Sequence, residues 1–388
     1  MDYTRQPFLF RLKKAARYVR LYGVRRTLVK VRGQYHIRKV YESRPAERLP
    51  SNKAHVGMIG CGNFAFSCLA YYLKKNFGQV IRGTMDVDIN RAASLFERYG
   101  AAYYTDDPSR VTTDPDIDLV YIASNHASHA EYAIDALNQG KSVHIEKPHV
   151  VTRDQLVRLC RTMTETDGRV GLGFNRPESK FGREILRSLS EQDGAGMYNW
   201  FLAGHKIDPD HWYFKEEEGG RILGNLCHWT DFVYHLVPEQ GRYPIVVTPT
   251  RYEKADSDIA VTYLFGDGTI AAITFSAKGH TFEGVKERFA GHKGNALIAL
   301  DDFKTLTIEV VDDKRKVSGM FRDHGHEAAV KRSYALSKSL VDASAKEATI
   351  KYVWETGDLF LKTKEALDAR QQLTIDAYDP VLLTQPVA

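Results

Sequence analysis

The sequence predicts an α/β protein in two parts, a doubly wound parallel sheet followed by an α+β region with a large, mainly antiparallel sheet. Three observations carry that expectation. Between residues 54 and about 175, short apolar runs alternate with helical stretches, which is the rhythm of βαβ units. Beyond residue 195 the runs lengthen and meet at tight turns, as antiparallel pairing requires. The length, 388 residues, exceeds what one compact core ordinarily serves and suits two.

The first region holds five strand-like runs, HVGMIG, QVIRGTMD, DLVYIAS, SVHIEKP and RVGLGFN, with FSCLAYYLKKN, NRAASLFERYG and HAEYAIDALNQG reading as helices between them. Mostly apolar strands separated by helices imply a sheet covered on both faces. In the second region GMYNWFLAGH, IVVTPTRYE, DIAVTYLFGDGTIAAITFSAKG, KERFAGHKGNALIALD and TLTIEVV read as strands. The GDG at 266–268 marks a hairpin. Helical stretches near 326–345 and 354–370 are expected to close the chain. The division is therefore 1–53, 54–175 and 176–388.

A composition of 43% hydrophobic and 27% charged residues is that of an ordinary globular chain. No apolar run approaches the ~20 residues that a membrane-crossing helix needs, and the N-terminus lacks a signal peptide's order of segments, so a cytoplasmic location is expected. Cys61, Cys68, Cys160 and Cys227 lack metal-ligand or redox spacing, which favours reduced thiols and no structural metal.

The net charge of +5 conceals a basic arm. Residues 1–53 hold 15 Lys and Arg against 3 Asp and Glu, a balance of +12 that leaves −7 for the remainder. In FLFRLKKAARYVRLY (residues 8–22), Phe8, Leu12, Ala15, Val19 and Tyr22 recur at helical spacing among Arg and Lys. The arm is expected to rest on its own or a neighbouring subunit. Peripheral contact of residues 8–22 with an anionic membrane is the alternative. Nucleic acid is disfavoured, because no aromatic and basic motif of a known module accompanies the charge.

Chemistry begins at VGMIGCGNFA, where Gly60, Gly62 and Ala65 fit GxGxxA directly after a strand and before a helix. Gly60 permits the tight turn, Gly62 lets the backbone approach a pyrophosphate, and Ala65 keeps helix and strand close. The helix start at Asn63 and Phe64 offers N–H groups to phosphates. Asp86 ends the next strand, 26 residues after Gly60, where a carboxylate accepts hydrogen bonds from a ribose diol and repels a 2′-phosphate. NAD is thus favoured over NADP.

Glu146, Lys147 and Pro148, at the end of a later strand, resemble the EKP motif of the Gfo/Idh/MocA oxidoreductases, as does the whole run YIASNHASHAEYAIDALNQGKSVHIEKP. The resemblance covers roughly residues 54–370. It implies an N-terminal Rossmann domain for NAD(P), in which Ser124, Asn125, His129, Glu146 and Lys147 line the cofactor. It also implies a C-terminal domain whose open sheet makes homodimers or homotetramers. In GGRILGNLCHWTD (219–231), His228 and Asp231 match the histidine and final aspartate of the family's DxGxHxxD helix. Gly224 and Leu226 stand where the family has aspartate and glycine. This departure resembles a GGRIxGExCH subgroup of cell-surface polysaccharide pathways.

Within that likeness, Lys147 and His228 are the catalytic pair, framing a secondary alcohol. His228 takes the hydroxyl proton as hydride leaves, and Lys147 stabilises the oxyanion. Candidate substrate contacts are Asn175 and Arg176 in GFNRP, together with Trp212, Tyr213, Arg221 and Asn225; an interdomain salt bridge is the rival role for Arg176. His205 and His211 lie in the same loop, and Cys227 reads as a packing residue. His324 and His326 in DHGH have no metal constellation around them. The expected function is NAD-dependent hydride transfer to or from a secondary hydroxyl of a sugar or sugar derivative, possibly nucleotide-linked. The alternatives are an enzyme that retains and recycles NAD for epimerisation, elimination or glycosidic cleavage, and a non-catalytic NAD-binding scaffold at a membrane.

Overall fold

A computed structural model describes residues 6–204, 207–208, 210–252, 258–278, 284–338 and 342–383; His205 lies outside them. The chain opens with a helical hairpin, α1 (Phe8–Tyr22) and α2 (Val24–His36), that the sequence reading resolved only in its first half. A winding of strand and helix follows: β1 (Val56–Ile59), α3 (Ala70–Phe77), β2 (Ile81–Met85), α4 (Ile89–Tyr99), β3 (Tyr103–Thr105), α5 (Ser109–Thr112), β4 (Leu119–Ile122), α6 (His129–Asn138), β5 (Ser142–Ile145), α7 (Arg153–Glu165) and β6 (Val170–Leu172). These six strands form one parallel sheet in the order β3-β2-β1-β4-β5-β6. The order reverses beside β1, the place where such sheets leave a crevice at their carboxyl ends. β1 and β4 are buried at every residue, which explains their unbroken apolar runs.

Local chemistry sets the helix ends. Asp88 caps α4 by accepting from the Asn90 N–H, and Gly100 closes it in the left-handed conformation. Thr152 caps α7 through the Gln155 N–H.

After α8 (Lys180–Ser190) come β7 (Gly196–Ala203), α9 (Cys227–Leu236), α10 (Glu239–Arg242), β8 (Ile245–Arg251), β9 (Asp258–Leu264), β10 (Ile270–Ser276), β11 (Lys286–Lys293), β12 (Ala296–Asp301), β13 (Thr305–Val310) and β14 (Asp313–Ser318). Two helices, α11 (His326–Leu336) and α12 (Ala343–Ala369), and a short β15 (Leu373–Ile375) end the fold. The nine strands form a second sheet, β14-β13-β12-β11-β7-β10-β9-β8-β15, antiparallel at every pairing except β7 with β10. Residues of β7 alternate between buried and exposed. Tyr198, Trp200 and Leu202 face the core with Trp229 and Phe232 of α9, while Met197 and Phe201 stay exposed.

Three strands (β3, β14 and β15) and the helices α2, α5, α7, α8 and α10 escaped the sequence reading, and the last helix begins earlier than expected, at Ala343. β3 and β15 have three residues each, too few for a period. β14, DKRKVS, carries charge where a strand signal needs apolar alternation, as edge strands often do. In α2, four cations and Gly33 dilute the apolar pattern.

The chain after residue 322 returns to the first sheet. Tyr121 Oη donates to the Val330 carbonyl (2.8 Å), His144 Nδ1 accepts from Ser333 Oγ (2.7 Å), and Tyr334 stacks on Phe77. α12 runs alongside α7 and α9 and joins the two halves.

Candidate active site

The crevice at the carboxyl ends of β1, β2, β4 and β5 gathers most of the residues that the sequence singles out. Gly60 adopts φ +85°, and a Cβ there would lie 2.4 Å from the Ser124 nitrogen, so the turn against β4 admits glycine alone. Above Gly62 the space is open to 4 Å, which fits a backbone made to be approached by a ligand. A helix starts at Asn63, winds as a π-helix over Ala65–Leu69 and continues as α3.

Asp86, beyond the end of β2, accepts from the Cys61 N–H through Oδ2 (2.7 Å) and from the Asp88 N–H through Oδ1 (2.9 Å). Burial raises its pKa above the usual range, against the pull of those N–H donors. Each carboxylate oxygen keeps a second lone pair for a ribose hydroxyl. The open glycine cradle and this carboxylate together fit a dinucleotide.

The other cofactor candidates divide. Ser124 accepts from Ser128 Oγ (2.7 Å) at the end of β4. Asn125 donates from Nδ2 to Glu218 Oε1 (2.5 Å). His129 is buried and spends its ring on the carbonyls of Pro148 (2.8 Å) and Ser124 (3.2 Å), which makes it a brace of the crevice wall. Glu146 is buried against Gly173, with His144 Nε2 donating to it (3.1 Å), and braces β5 in the same way.

Lys147 reaches across to the second half, its Nζ donating to the Gly224 carbonyl (2.8 Å). That carbonyl lies one turn before His228, in a π-helical stretch, Ile222–Leu226, that runs into α9. Burial lowers the pKa of Lys147. Burial also pushes His228 well below its ordinary value, reinforced by the positive charges of Arg176 and Lys147. The His228 ring is therefore a neutral imidazole at neutral pH. Its Nδ1 and the Asn225 Oδ1, three residues apart and so on one helical face, are buried with no hydrogen-bond partner among the described residues.

A Cβ on Gly224 would lie 2.1 Å from the Tyr213 hydroxyl and 2.5 Å from His126 Cε1. The position where the family has an acidic side chain is thus filled by the Tyr213 ring. Trp212 stays 39% exposed beside His126. Arg221 is buried over the rings of Phe214 and Phe275.

Arg176, shortly after β6, donates from Nε (3.2 Å) and Nη2 (3.0 Å) to Glu287 of β11 and from Nη1 to Asn175 Oδ1 (2.9 Å). Trp229 Nε1 donates to the same Glu287 (2.9 Å). Asn175 Nδ2 in turn donates to the His324 carbonyl (2.7 Å) and towards His326 Nε2 (3.3 Å). The guanidinium of Arg176 and the amide of Asn175 are thereby tied to partners inside the protein. Asp231 likewise turns to α12, accepting from Tyr352 Oη (2.6 Å). Cys227 is buried, and burial pushes its thiol up to about 12.

Sequence reasoning missed Glu218, Glu287 and His126, and weighed His326 only as a metal ligand. Glu218 comes from the second half to hold the β4 loop: its backbone carbonyl accepts from His126 Nδ1 (2.9 Å), and its carboxylate from the Asn125 amide and the Ala127 N–H (3.2 Å). It stands directly before the glycine pair, the one signal that could have marked it. His326 lies edge-on to Phe64 of the glycine turn (5.5 Å). Among the described residues no group of His, Cys, Asp and Glu could hold a metal ion.

Comparison with known proteins agrees with the Rossmann fold of the first half. Residues 54–174 match the family model described as Oxidoreductase family, NAD-binding Rossmann fold. The chain is 24% identical over 266 residues to scyllo-inositol 2-dehydrogenase (NAD(+)) of Bacillus subtilis (strain 168), covering 64% of this chain and 76% of that protein. It is 25% identical over 207 residues to inositol 2-dehydrogenase of Burkholderia ambifaria (strain MC40-6), covering 53% and 60%. In fold it resembles levoglucosan dehydrogenase in complex with NADH and levoglucosan, with a TM-score of 0.68 and 17% identity over 83% of this chain and 99% of that one. Residues 54–174 thus match the NAD-binding Rossmann domain of the Gfo/Idh/MocA oxidoreductases.

Proposed function

We propose that this oxidoreductase exchanges hydride between NAD and a secondary hydroxyl of a sugar or cyclic polyol, with His228 and Lys147 as its catalytic groups. The observation that carries this reading is the pair of orphaned buried atoms, His228 Nδ1 and Asn225 Oδ1, on the helix turn that Lys147 touches. Buried polar atoms are seldom left without partners, and adjacent hydroxyls of a polyol would satisfy both.

The chemistry supplied by a bound dinucleotide is hydride exchange at the carbinol carbon. The protein manages the proton. A neutral His228 is ready to accept it from the hydroxyl in the oxidation direction. The Lys147 ammonium, turned from the Gly224 carbonyl to the substrate oxygen, would offset charge growing there. Asn225 orients a neighbouring hydroxyl, and Tyr213, walling the pocket over Gly224, gives the ring a flat apolar contact. Asp86 favours NAD through the ribose diol.

The inositol dehydrogenases among its relatives support a sugar-like cyclic polyol as the substrate class; a nucleotide-linked sugar is the finer reading. The exposed Met197, Phe201, Leu264, Ile270 and Leu297 on the outer face of the second sheet suit a homodimer or homotetramer built there.

The test is NADH formation in multiple turnover over a panel of inositols, levoglucosan, uronic acids and sugar nucleotides. Stoichiometric NADH with one of them supports the reading. Turnover of substrate with no free NADH would instead identify an enzyme that recycles its cofactor, and NAD binding without any turnover would sink both.

A further inference from the structure

The hairpin of α1 and α2 carries a surface that the oxidoreductase chemistry does not use. α2 is seated on the first half by one face. Its His36 donates from Nε2 to the Cys61 carbonyl (2.6 Å), accepts at Nδ1 from Ser94 Oγ (2.8 Å) and stacks on Phe66. Arg26 donates to the Ser67 carbonyl, and a Cβ on Gly33 would lie 2.3 Å from Asn63 Oδ1. This face is closed against the helix that follows the glycine cradle.

The opposite face is bare. Val24, Leu28, Val31 and Tyr35, spaced four, three and four residues apart, are 60%, 51%, 40% and 52% exposed. Such spacing puts all four on one stripe. Arg11 Nη1 donates to Tyr35 Oη (3.3 Å), bringing the start of α1 beside the end of α2. Exposed Phe8, Leu9 and Leu12 therefore extend the stripe. Where the two helices meet, a cleft of about 370 Å³ is lined by Phe8, Leu12, Val31 and Tyr35 together with Lys14 and Lys30, and its floor reaches Asn63 and Ser67 of the helix after the glycine cradle. Burial lowers both lysines to about 8, a cost that an anion in the cleft would reverse.

Residues 6–41 contain eleven Lys and Arg and not one Asp or Glu. That balance selects the occupant. Two copies meeting through this stripe would bring eleven cations against eleven without a compensating acid. Nucleic acid would answer the charge and leave the apolar stripe in water. An anionic phospholipid leaflet answers both, taking the apolar stripe at its acyl boundary and the cations among its headgroups. No helix among the described residues is long and apolar enough to cross a membrane, so the contact lies in the interface plane.

We propose that the α1–α2 hairpin docks this oxidoreductase on an anionic phospholipid leaflet through Val24, Leu28, Val31 and Tyr35 of α2 and Phe8 and Leu12 of α1. The surface is a preformed part of the fold, because His36, Gly33 and Arg26 hold it in place with no lipid present.

The test is flotation of the full chain with vesicles of phosphatidylcholine alone or with a third phosphatidylglycerol, at low and high salt. The expected result is at least about tenfold greater binding to the anionic vesicles, weakened by salt. The double substitution Leu28→Asp with Val31→Asp should lower it about tenfold while leaving the thermal midpoint and NAD binding unchanged, since both side chains are already exposed. Three results would overturn the proposal: no binding to anionic vesicles at low salt; a dimer that the double substitution dissociates, without vesicle binding; or retention by duplex DNA in place of vesicles. None depends on whether a substrate is turned over.

Discussion

Lys147 Nζ donates to the Gly224 carbonyl across 2.8 Å, and through that bond the cofactor half grips the helix turn that presents His228. Replacing Lys147 by Ala should cut kcat by ~10²- to 10⁴-fold, the usual contribution of a positioned proton-transfer group. His228→Ala should do the same. Both variants should keep their unfolding midpoint near that of the parent, measured by thermal melting alongside NADH-coupled turnover. An equal loss of fold and activity would show these residues to be scaffold.

Gly224 marks the departure from the family's acidic position, and the Tyr213 ring shows why the acid cannot simply be restored. With a Cβ 2.1 Å from the Tyr213 hydroxyl, Gly224→Asp should destabilise by ~1–3 kcal/mol through overpacking. The double variant with Tyr213→Ala should recover part of that loss. Urea unfolding of the single and double variants checks the coupling, and additive losses would refute it.

Glu287 sits at 0% exposure and accepts from Arg176 and from Trp229, with His324 Nε2 3.3 Å away. Removing Arg176 leaves that carboxylate buried without its cation, so Arg176→Ala should cost ~3–5 kcal/mol of stability. Arg176→Met with Glu287→Gln should cost much less, because no bare charge remains. Denaturant midpoints distinguish the two.

Acid sensitivity follows from the histidines. Burial holds His36 and His149 at about 4 and His126 at about 2, and pushes His228, His324 and His326 well below their ordinary value. Above the unfolded value of ~6.5 both states are neutral and stability is complete. As pH falls below it, the unfolded chain binds protons that the folded chain refuses. Each such histidine then removes up to ~1.4 kcal/mol per pH unit until its folded pKa is reached. The thermal midpoint should hold from pH 8 to 7 and fall steeply from 6.5 towards 4; a flat profile across that window would contradict the burial of these rings.

Asp86→Ser should raise the NADP-to-NAD ratio of kcat/KM by about tenfold or more, ~1.4 kcal/mol of relieved repulsion. Affinity for NAD should fall as well, because Asp86 also fixes the Cys61 N–H of the glycine turn. Titration with both dinucleotides reads the two effects separately.

The parts of the fold legible in the sequence were those with a local signal. β1 and the glycine turn declare themselves through VGMIGCG, and the β9–β10 hairpin through GDG. Lys147 and His228 stand out because motif residues sit beside them, though nothing local foretells that burial and the charges of Arg176 and Lys147 lower the pKa of His228. Glu287 lies in KERFAG, where an alternating strand gives no reason to expect a carboxylate pointing inward; only the meeting of Arg176 and Trp229 from distant segments explains it. α2 was hidden for the same reason, since its buried face is defined by Phe66 and Cys61, which the chain reaches some thirty residues later.

The return of α11 to the first sheet bears on how the protein can be divided. A fragment cut at residue 175 would end just after β6 and lose the Val330 carbonyl over Tyr121, the Ser333 hydroxyl at His144 and the Tyr334 ring on Phe77. Its central strands would then meet water on one side with unsatisfied phenol and imidazole groups exposed at the breach. The cofactor crevice of this chain thus leans on α11 as well as on residues 54–174, and a nascent chain finishes its wall only once residue 334 has been made.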